Sequence, residues 1–358
     1  MIKKCCRQAF LLVLFSSAVF VSGLWAQKSQ WDGLNQQLYG LYQGGGYAEG
    51  IPIAMEAVRI AEATFGLDHP NLATSLNNLA EMHRLIGQFA EAKPLYERAL
   101  WIAEAAVGPD SPLVATTLNN WAELNRMQED YVAAEPMYQR AISIRKKFLG
   151  PDHPDMAQTL NNLALLYAAQ NMLEQAEPLY QSALGIYRNA LGGDHPLVAA
   201  CMNNLAELYR VRGSFPLAEP LYRKALAIDQ KQHGRDHPIV AMNLNNQALL
   251  YAAQSKPEQA QKLFQQALAI EEKVYGSQHP ELVTTLSNFA VFYQEQGNYR
   301  EAGTLLQRVV TIAETVLGAE HPNLAVPLEN LAEVYTQMGE TEQAKQIEER
   351  ARRLTASR

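Results

Sequence analysis

The chain has 358 residues, of which 48% are hydrophobic, and its formal net charge at neutral pH is −7. This acidic balance disfavours nucleic acid and anionic membrane surfaces as partners, because both select basic proteins. Two of its three cysteines lie within the first six residues. If those residues are removed, Cys201 alone remains, so an internal disulfide is excluded and packing must hold the fold together.

The first 26 residues have the pattern of an export signal. Three basic residues within the first seven positions precede an apolar run over 9–21, and the small Ala26 suits the last position before cleavage. Serines make the run weak for a membrane span, which needs about 20 apolar residues. We therefore expect 1–26 to be a signal peptide and the protein to be periplasmic or secreted. The alternative is an uncleaved N-terminal segment that anchors the protein in a membrane.

A His-Pro dipeptide recurs every 42 residues. Its histidines are His69, His153, His195, His237, His279 and His321, and Ser111 fills the one gap. A period held over seven copies, which we number one to seven from His69, is typical of a stacked array of one supersecondary unit. Such an array has an extended surface instead of one globular core. We expect the function to lie on that surface and not in a catalytic cleft.

The sequence of each copy predicts two helices. In copy one, Pro70 suits a first helical turn, whose amides lack partners. Leu76, Leu79 and Ala80 then follow at the spacing of an amphipathic helix. Gly87 is expected to end this helix, and a second helix of similar character follows. The predicted fold class is all-α, built from antiparallel helix pairs.

Small and aromatic residues recur at fixed positions in these helices. In copy one, Ala92 and Ala99 flank Tyr96, and small residues allow helices to approach while an aromatic ring fills the gap beyond. This arrangement resembles the tetratricopeptide repeat (TPR) family. The 42-residue period and phrases such as Leu-Asn-Asn-Leu-Ala and Ala-Glu-Pro-Leu-Tyr resemble its kinesin light chain subtype. The resemblance covers about 47–350 and implies a right-handed α-solenoid, the TPR superhelix.

The two ends of the array depart from the repeat. We expect 27–66 to be a degenerate N-terminal repeat or cap, 67–340 the array of 42-residue repeats, and 341–358 a capping helix and tail. Gly33, Gly40 and the run Gly44-Gly45-Gly46 are expected to spoil the first helix of the degenerate copy. Terminal units with polar outer faces are what a solenoid requires.

One position of the first helix is constant. On a helical wheel, Asn78 and Glu81 lie opposite the buried stripe and should be exposed. The resemblance implies that this side lines a concave groove. Other positions near this face, such as those of Arg84 and Leu85, vary between copies, whereas the asparagine does not. The seven asparagines are Asn78, Asn120, Asn162, Asn204, Asn246, Asn288 and Asn330.

Two interpretations of this asparagine ladder stay open. A primary amide has two donors and an acceptor, so it matches the backbone of an extended peptide without selecting side chains. Kinesin light chains and armadillo proteins are similar in using groove asparagines in this way. Alternatively, each asparagine ties neighbouring repeats together.

Charged and apolar residues accompany the ladder. Glutamate and arginine spaced at i, i+3 can pair on the groove wall or form a merely solvated face. These pairs are Glu81 with Arg84, Glu123 with Arg126, and Glu207 with Arg210. In copies three and five, Leu165 and Leu249 replace the glutamate and could receive apolar side chains of a ligand.

The sequence contains no familiar catalytic phrase, so we expect neither an enzyme nor a cofactor. The His-Pro histidines of adjacent copies lie roughly 10 Å apart, too far to share a metal ion, and are interpreted as helix starts. The predicted function is a non-enzymatic scaffold that binds a partner protein or extended peptide through the asparagine ladder. The alternative is a self-associating structural solenoid whose asparagines are inter-repeat ties. Membrane contact is expected only through a retained N-terminal anchor.

Overall fold

A computed structural model describes residues 27–356, and the secondary structure of this part of the chain is helical throughout. The helices are α1 (27–44), α2 (Tyr47–Phe65), α3 (Pro70–Leu85), α4 (Phe89–Val107), α5 (Pro112–Met127), α6 (Tyr131–Phe148), α7 (Pro154–Ala169), α8 (Leu173–Leu191), α9 (Pro196–Val211), α10 (Phe215–His233), α11 (Pro238–Ala253), α12 (Pro257–Tyr275), α13 (Leu282–Glu295), α14 (Tyr299–Leu317), α15 (Ala325–Gln337) and α16 (Thr341–Ala356). The 3₁₀ turn Pro322–Leu324 precedes α15. The predicted all-α class is confirmed.

The helices fall into two compact units. Helices α1–α7 belong to the first, which ends at Met172, and α8–α16 belong to the second, which begins at Leu173. Consecutive helices pack on each other, as α3 does on α4 in the first unit and α11 on α12 in the second. The predicted signal segment, 1–26, lies outside the described residues. Within 27–356, no helix is both long enough and apolar enough to cross a membrane.

The His-Pro histidines cap the first helices. His69 Nδ1 accepts a hydrogen bond from the Asn71 amide at 3.1 Å, and His195 Nδ1 accepts one from Leu197 at 3.1 Å. Ser111, which fills the gap in the series, accepts from the Val114 amide through Oγ at 3.3 Å. Such caps satisfy helix amides that have no partner inside the helix. The interpretation of these histidines as helix starts is confirmed.

The turn between the two helices of a copy needs a left-handed residue. Gly87 has a φ of 77° at this place, as predicted for a glycine that ends a helix. Glu129, Asn171 and Ser255 occupy the same place in copies two, three and five, with φ values of 62°, 58° and 57°. The turn is therefore kept even where the residue has a Cβ that disfavours it.

Helix α1 runs unbroken through Gly33 and Gly40, so the prediction that glycines spoil this helix is wrong. A glycine inside a helix costs about 1 kcal/mol, but packing outweighs that cost here. Leu38 is only 3% exposed, and the Trp31 indole donates to Ser75 Oγ of α3 at 2.7 Å. The degenerate copy is therefore a complete helix pair.

The recurring aromatic residues are the largest fully buried side chains. They are Tyr96, Tyr138, Tyr180, Tyr222 and Phe264. The recurring alanines, such as Ala92 and Ala99 in copy one, are also completely buried. Cys201 is buried among packed helices, and burial raises the pKa of its thiol to about 12.

Candidate functional site

The asparagines of the first unit bond to one another across copy boundaries. Asn120 Nδ2 donates to Asn77 Oδ1 of the preceding copy at 3.3 Å. Asn162 Nδ2 donates to Asn119 Oδ1 in the same way, also at 3.3 Å. In each pair the residues lie 43 positions apart, so the bond joins the first helices of neighbouring copies.

In the second unit one bond of this kind joins copies five and six, whereas between copies four and five the acceptor Asn203 Oδ1 is buried without a partner among the described residues. Asn288 Nδ2 donates to Asn245 Oδ1 at 3.2 Å, and Asn245 Nδ2 in turn donates to Asn246 Oδ1 at 3.4 Å. The ladder asparagines from Asn78 to Asn288 are half-buried instead of exposed, whereas Asn330 is exposed. These bonds are the ones expected of asparagines that tie repeats together.

Asn120→Ala is expected to lower the free energy of unfolding by about 1–3 kcal/mol. The change removes the donor to Asn77 and also the acceptor that Asn119 Nδ2 uses at 3.1 Å. Asn119 is 1% exposed, and a buried polar group left without a partner costs about that much. Urea unfolding measures the effect. Asn330→Ala is the matched control, since Asn330 is exposed and makes no side-chain hydrogen bond within 27–356; an equal loss there would contradict the tie.

The predicted glutamate–arginine pairs form, but their side chains are more buried than those of a solvent-exposed ion pair. Arg84 binds Glu81 through two nitrogens, at 2.9 and 2.6 Å, and the two side chains are 10% and 13% exposed. The hydroxyl of Tyr96 donates to the same carboxylate at 2.7 Å. Glu81 thus connects the largely buried Arg84 to the buried Tyr96 of the same copy.

Copies two and four contain the same cluster. Tyr138 donates to Glu123, and Tyr222 donates to Glu207, each at 2.7 Å. Burial opposes ionisation of Glu123, but the hydrogen bonds from Arg126 outweigh it and hold the pKa of this carboxyl below its usual value. In copy five, where Leu249 replaces the glutamate, the buried ring is Phe264, which has no hydroxyl to satisfy. The pairs are therefore part of the packing of copies one, two and four.

A cleft of about 340 Å³ opens in the first unit beside the start of the ladder. Four first helices contribute to its lining: α1, α3, α5 and α7. The lining residues are Asn35, Leu38, Tyr39, Tyr42, Asn77, Asn78, Glu81, Met82, Thr116, Asn120 and Gln158. The predicted site residues Asn78, Glu81 and Asn120 are thus brought together.

Helix α1 supplies the part of the cleft that the sequence prediction missed. Asn35, Tyr39 and Tyr42 are spaced at i, i+4, i+7 and therefore share one helical face. Asn35 accepts a hydrogen bond from Asn78 Nδ2 at 3.1 Å. Tyr39 is 62% exposed and Tyr42 41% exposed. Partial burial, and then the nearby Glu81, raises the pKa of the Tyr42 hydroxyl, which stays a neutral donor.

The first copy differs from the second in one polar contact. In copy two, Asn119 Nδ2 donates to Asn120 Oδ1 within the same helix. In copy one, neither Asn77 Nδ2 nor Asn78 Oδ1 has a hydrogen-bond partner among the described residues, although both residues line the cleft. The cleft therefore offers one free donor and one free acceptor on adjacent residues of α3.

The sequence matches the family model described as tetratricopeptide repeat over residues 40–105, 113–189, 157–231, 203–273, 240–302 and 281–357. A comparison with curated proteins found no match. Among solved structures, the chain is similar to a protein of Podosopora anserina described as a kinesin light chain with nearly identical TPR-like repeats. The identity is 28% and the TM-score 0.50, over 57% of this chain and 97% of that one.

Two further solved structures share the fold. BtubC (BKLC) from P. vanneervenii is 24% identical, with a TM-score of 0.53 over 68% of this chain and 92% of that one. A Rap protein complexed with Competence and Sporulation Factor is 16% identical, with a TM-score of 0.58 over 92% of this chain and 98% of that one. With the period of 42 residues, the helix pairs and the buried alanine–tyrosine core, these matches place the chain in the tetratricopeptide repeat family, with repeats of the kinesin light chain type.

Proposed function

We propose that this protein is a non-enzymatic interaction scaffold that binds an extended polypeptide segment along its first helices. The observation that carries the proposal is the free donor of Asn77 beside the free acceptor of Asn78 in the cleft of the first unit. A peptide unit presents one C=O and one N–H, so it can satisfy both groups together. Rap, which shares the fold, has been solved in complex with Competence and Sporulation Factor, a use of this fold that agrees with the proposal.

The other residues of the cleft indicate which segments it favours. Tyr39 and Tyr42 provide aromatic walls on α1, and Met82 adds an apolar surface on α3. Among the described residues, the lining contains no lysine or arginine, and Arg84, on the same helix as the lining residue Glu81, is already bound to that glutamate. A cleft of this kind favours neutral or basic segments with apolar side chains over a terminal carboxylate. Beyond this cleft, ladder amides such as Asn120 and Asn162 already serve in ties, so we place the main peptide contact at the N-terminal end of the array.

A two-step experiment tests the cleft. Peptides are first selected by display on the wild-type protein, and the affinity of one enriched peptide is then measured by fluorescence anisotropy. Joint replacement of Tyr39 and Tyr42 by alanine is expected to weaken binding at least tenfold, because each lost aromatic contact is worth about 1 kcal/mol or more. The melting temperature should fall by no more than a few degrees, since Tyr39 is largely exposed and Tyr42 is only partly buried.

Trp101→Ala is the matched control, because Trp101 is an equally exposed aromatic residue (63%) outside the cleft lining. If the tyrosine variant binds as tightly as the wild type, the cleft is not the peptide site. If Trp101→Ala weakens binding to the same extent, the contact is a non-specific aromatic one.

We also propose that the protein is exported. The proposal rests on the basic start, the short apolar run and Ala26 within 1–26. The expected intact mass of protein isolated from its native source corresponds to a chain that begins near Gln27. A mass that includes Met1 would contradict cleavage of the signal.

A further inference from the structure

A tyrosine, a glutamine and a glutamate meet where copy four packs on the preceding helix of the second unit. The hydroxyl of Tyr209, near the end of α9, donates to Glu177 Oε1 of α8 at 2.8 Å. Gln181 Nε2, one helical turn after Glu177, donates to the same oxygen at 3.0 Å. Arg212 binds the second oxygen of this carboxylate at 2.5 Å. The junction is thus a carboxylate-binding site whose carboxylate is supplied by the chain itself.

The first unit contains the same cluster between copies two and three. Tyr167 donates to Glu135 Oε1 at 2.7 Å, and Gln139 donates to this oxygen at 2.8 Å. Two independent junctions therefore show that a tyrosine hydroxyl and a glutamine amide in these positions bind a carboxylate.

The last junction of the second unit, between α14 and α15, has the tyrosine and the glutamine of this cluster but not the glutamate. Tyr335 and Gln307 lie three periods of 42 after Tyr209 and Gln181, but Gly303 stands where Glu177 would recur. A cavity of about 540 Å³ opens here, between the start of α14, the end of α15 and the start of α16. Tyr335, Gln307 and Gly303 all line it. Within 27–356, neither the Tyr335 hydroxyl nor the Gln307 side chain has a hydrogen-bond partner.

The charged groups of this cavity favour an anion. Arg300, in the first turn of α14, lines the cavity and makes no side-chain ion pair or hydrogen bond with the described residues. Arg308, which also lines it, binds Glu272 at 2.6 Å. Glu340 is the acid on the rim; its backbone amide donates to the Tyr335 carbonyl at 2.9 Å, but its carboxylate makes no hydrogen bond to the Tyr335 hydroxyl. Arg300 can therefore take the charge-balancing part that Arg212 takes in copy four.

We propose that this cavity binds the carboxylate of a partner polypeptide. The Tyr335 hydroxyl and the Gln307 amide donate to the carboxylate oxygens, as their counterparts do to Glu177, and Arg300 supplies the charge. The carboxylate comes from an acidic side chain or from a chain terminus, and both share this chemistry. The site lies in the second unit and uses none of the ladder asparagines. The carboxylate proposal is therefore independent of the peptide cleft proposed in the first unit.

Methyl NMR of the full-length protein labelled with ¹³C-methyl methionine tests the proposal. Met338 is the reporter, because its sulfur lies 3.9 Å from the position of a Cβ added to Gly303. The probes are acetyl-Ala-Glu-Ala-amide, acetyl-Ala-Ala-Ala with a free carboxylate, and acetyl-Ala-Gln-Ala-amide. We expect saturable shifts of Met338 with one or both acids and none with the glutamine peptide. The preferred acid identifies the source of the carboxylate.

Three variants sharpen this test. Gly303→Glu restores the internal acid, and its Cβ makes only ordinary contacts, the nearest being Val334 at 3.5 Å. This variant should abolish the shifts and raise the melting temperature by a few degrees. Tyr335→Phe should weaken binding about threefold to tenfold, and Glu340→Gln should tighten it. Equal shifts with the glutamine peptide, or undiminished binding by both Gly303→Glu and Tyr335→Phe, would overturn the proposal.

Discussion

Replacing Tyr222 by alanine is expected to lower the free energy of unfolding of the second unit by about 3–5 kcal/mol, the usual cost of truncating a buried aromatic residue. Tyr222 is completely buried, and its hydroxyl donates to Glu207. Because each copy of an array contacts only its neighbours, the loss should centre on α9–α12. Urea unfolding gives the magnitude, and hydrogen exchange gives the location. Uniform loosening of every copy would contradict the stacked-repeat architecture.

Conservative changes at the same place separate packing from hydrogen bonding. Tyr222→Phe keeps the ring and should cost only about 0.5–1.5 kcal/mol, the worth of one hydrogen bond. Adding Glu207→Leu and Arg210→Ala copies the residues of copy five, where Phe264 accompanies Leu249. The triple variant should recover most of that loss, since apolar residues often replace a buried ion pair without net cost. A further loss would mean that the ion pair stabilises copy four by itself.

The second large effect is expected from Glu271→Gln, and it depends on pH. Glu271 is 7% exposed, and Thr285 donates to one of its oxygens at 2.9 Å. The other oxygen is buried without a partner among the described residues. Burial raises the pKa of this carboxyl from about 4.5 to about 7; nearby Glu281 and Glu272 add to the rise, whereas the Thr285 bond opposes it. The folded protein therefore favours the protonated form.

The sign of the pH effect follows from this raised pKa. Below pH 4.5 the carboxyl is protonated in both states and does not penalise folding. As pH rises from 4.5 to 7, the unfolded chain loses its proton first, and folding loses stability. The full penalty above pH 7 is about 3 kcal/mol, because a tenfold change in acidity corresponds to about 1.4 kcal/mol. Glu271→Gln should abolish it, making the variant more stable than the wild type at pH 8.5 but not at pH 4.5.

Urea unfolding at these two pH values measures the difference. Glu281→Gln is the control, because Glu281 is exposed and contributes only part of the effect through its charge. Its gain at pH 8.5 should stay below about 1 kcal/mol. An equal gain for Glu271→Gln at both pH values would show that folding does not raise the pKa of Glu271.

The fold could be predicted because the 42-residue period repeats both the helix signals and the buried residues. The His-Pro caps, Gly87 and the alanines around Tyr96 are local features, and each one gives its structure directly. Helix α1 could not be predicted in this way. Two glycines argue against a helix, and only the burial of Leu38 against neighbouring helices outweighs them.

The candidate site was predictable only in part. A helical wheel places Asn78 and Glu81 on one face, and the structure brings both to the cleft. The helical wheel cannot show that Tyr96, on the other helix of the copy, reaches the Glu81 carboxylate. Nor can it show which amides are already bonded, since Asn77 and Asn120 meet only after two copies have packed. The i, i+4, i+7 spacing of Asn35, Tyr39 and Tyr42 was the available signal for the α1 wall.

The asparagine ties also bear on how such an array can change its length. The donor of each tie, as in Asn120, belongs to one copy, and the acceptor, as in Asn77, belongs to the copy before it. A tandem duplication of one whole period that contains both asparagines would therefore bring its own donor and acceptor, so the new junction could form the same bond. Loss of a whole period leaves a matching junction for the same reason. Recombination in steps of 42 residues therefore preserves this hydrogen bond wherever the copies that it joins carry both asparagines.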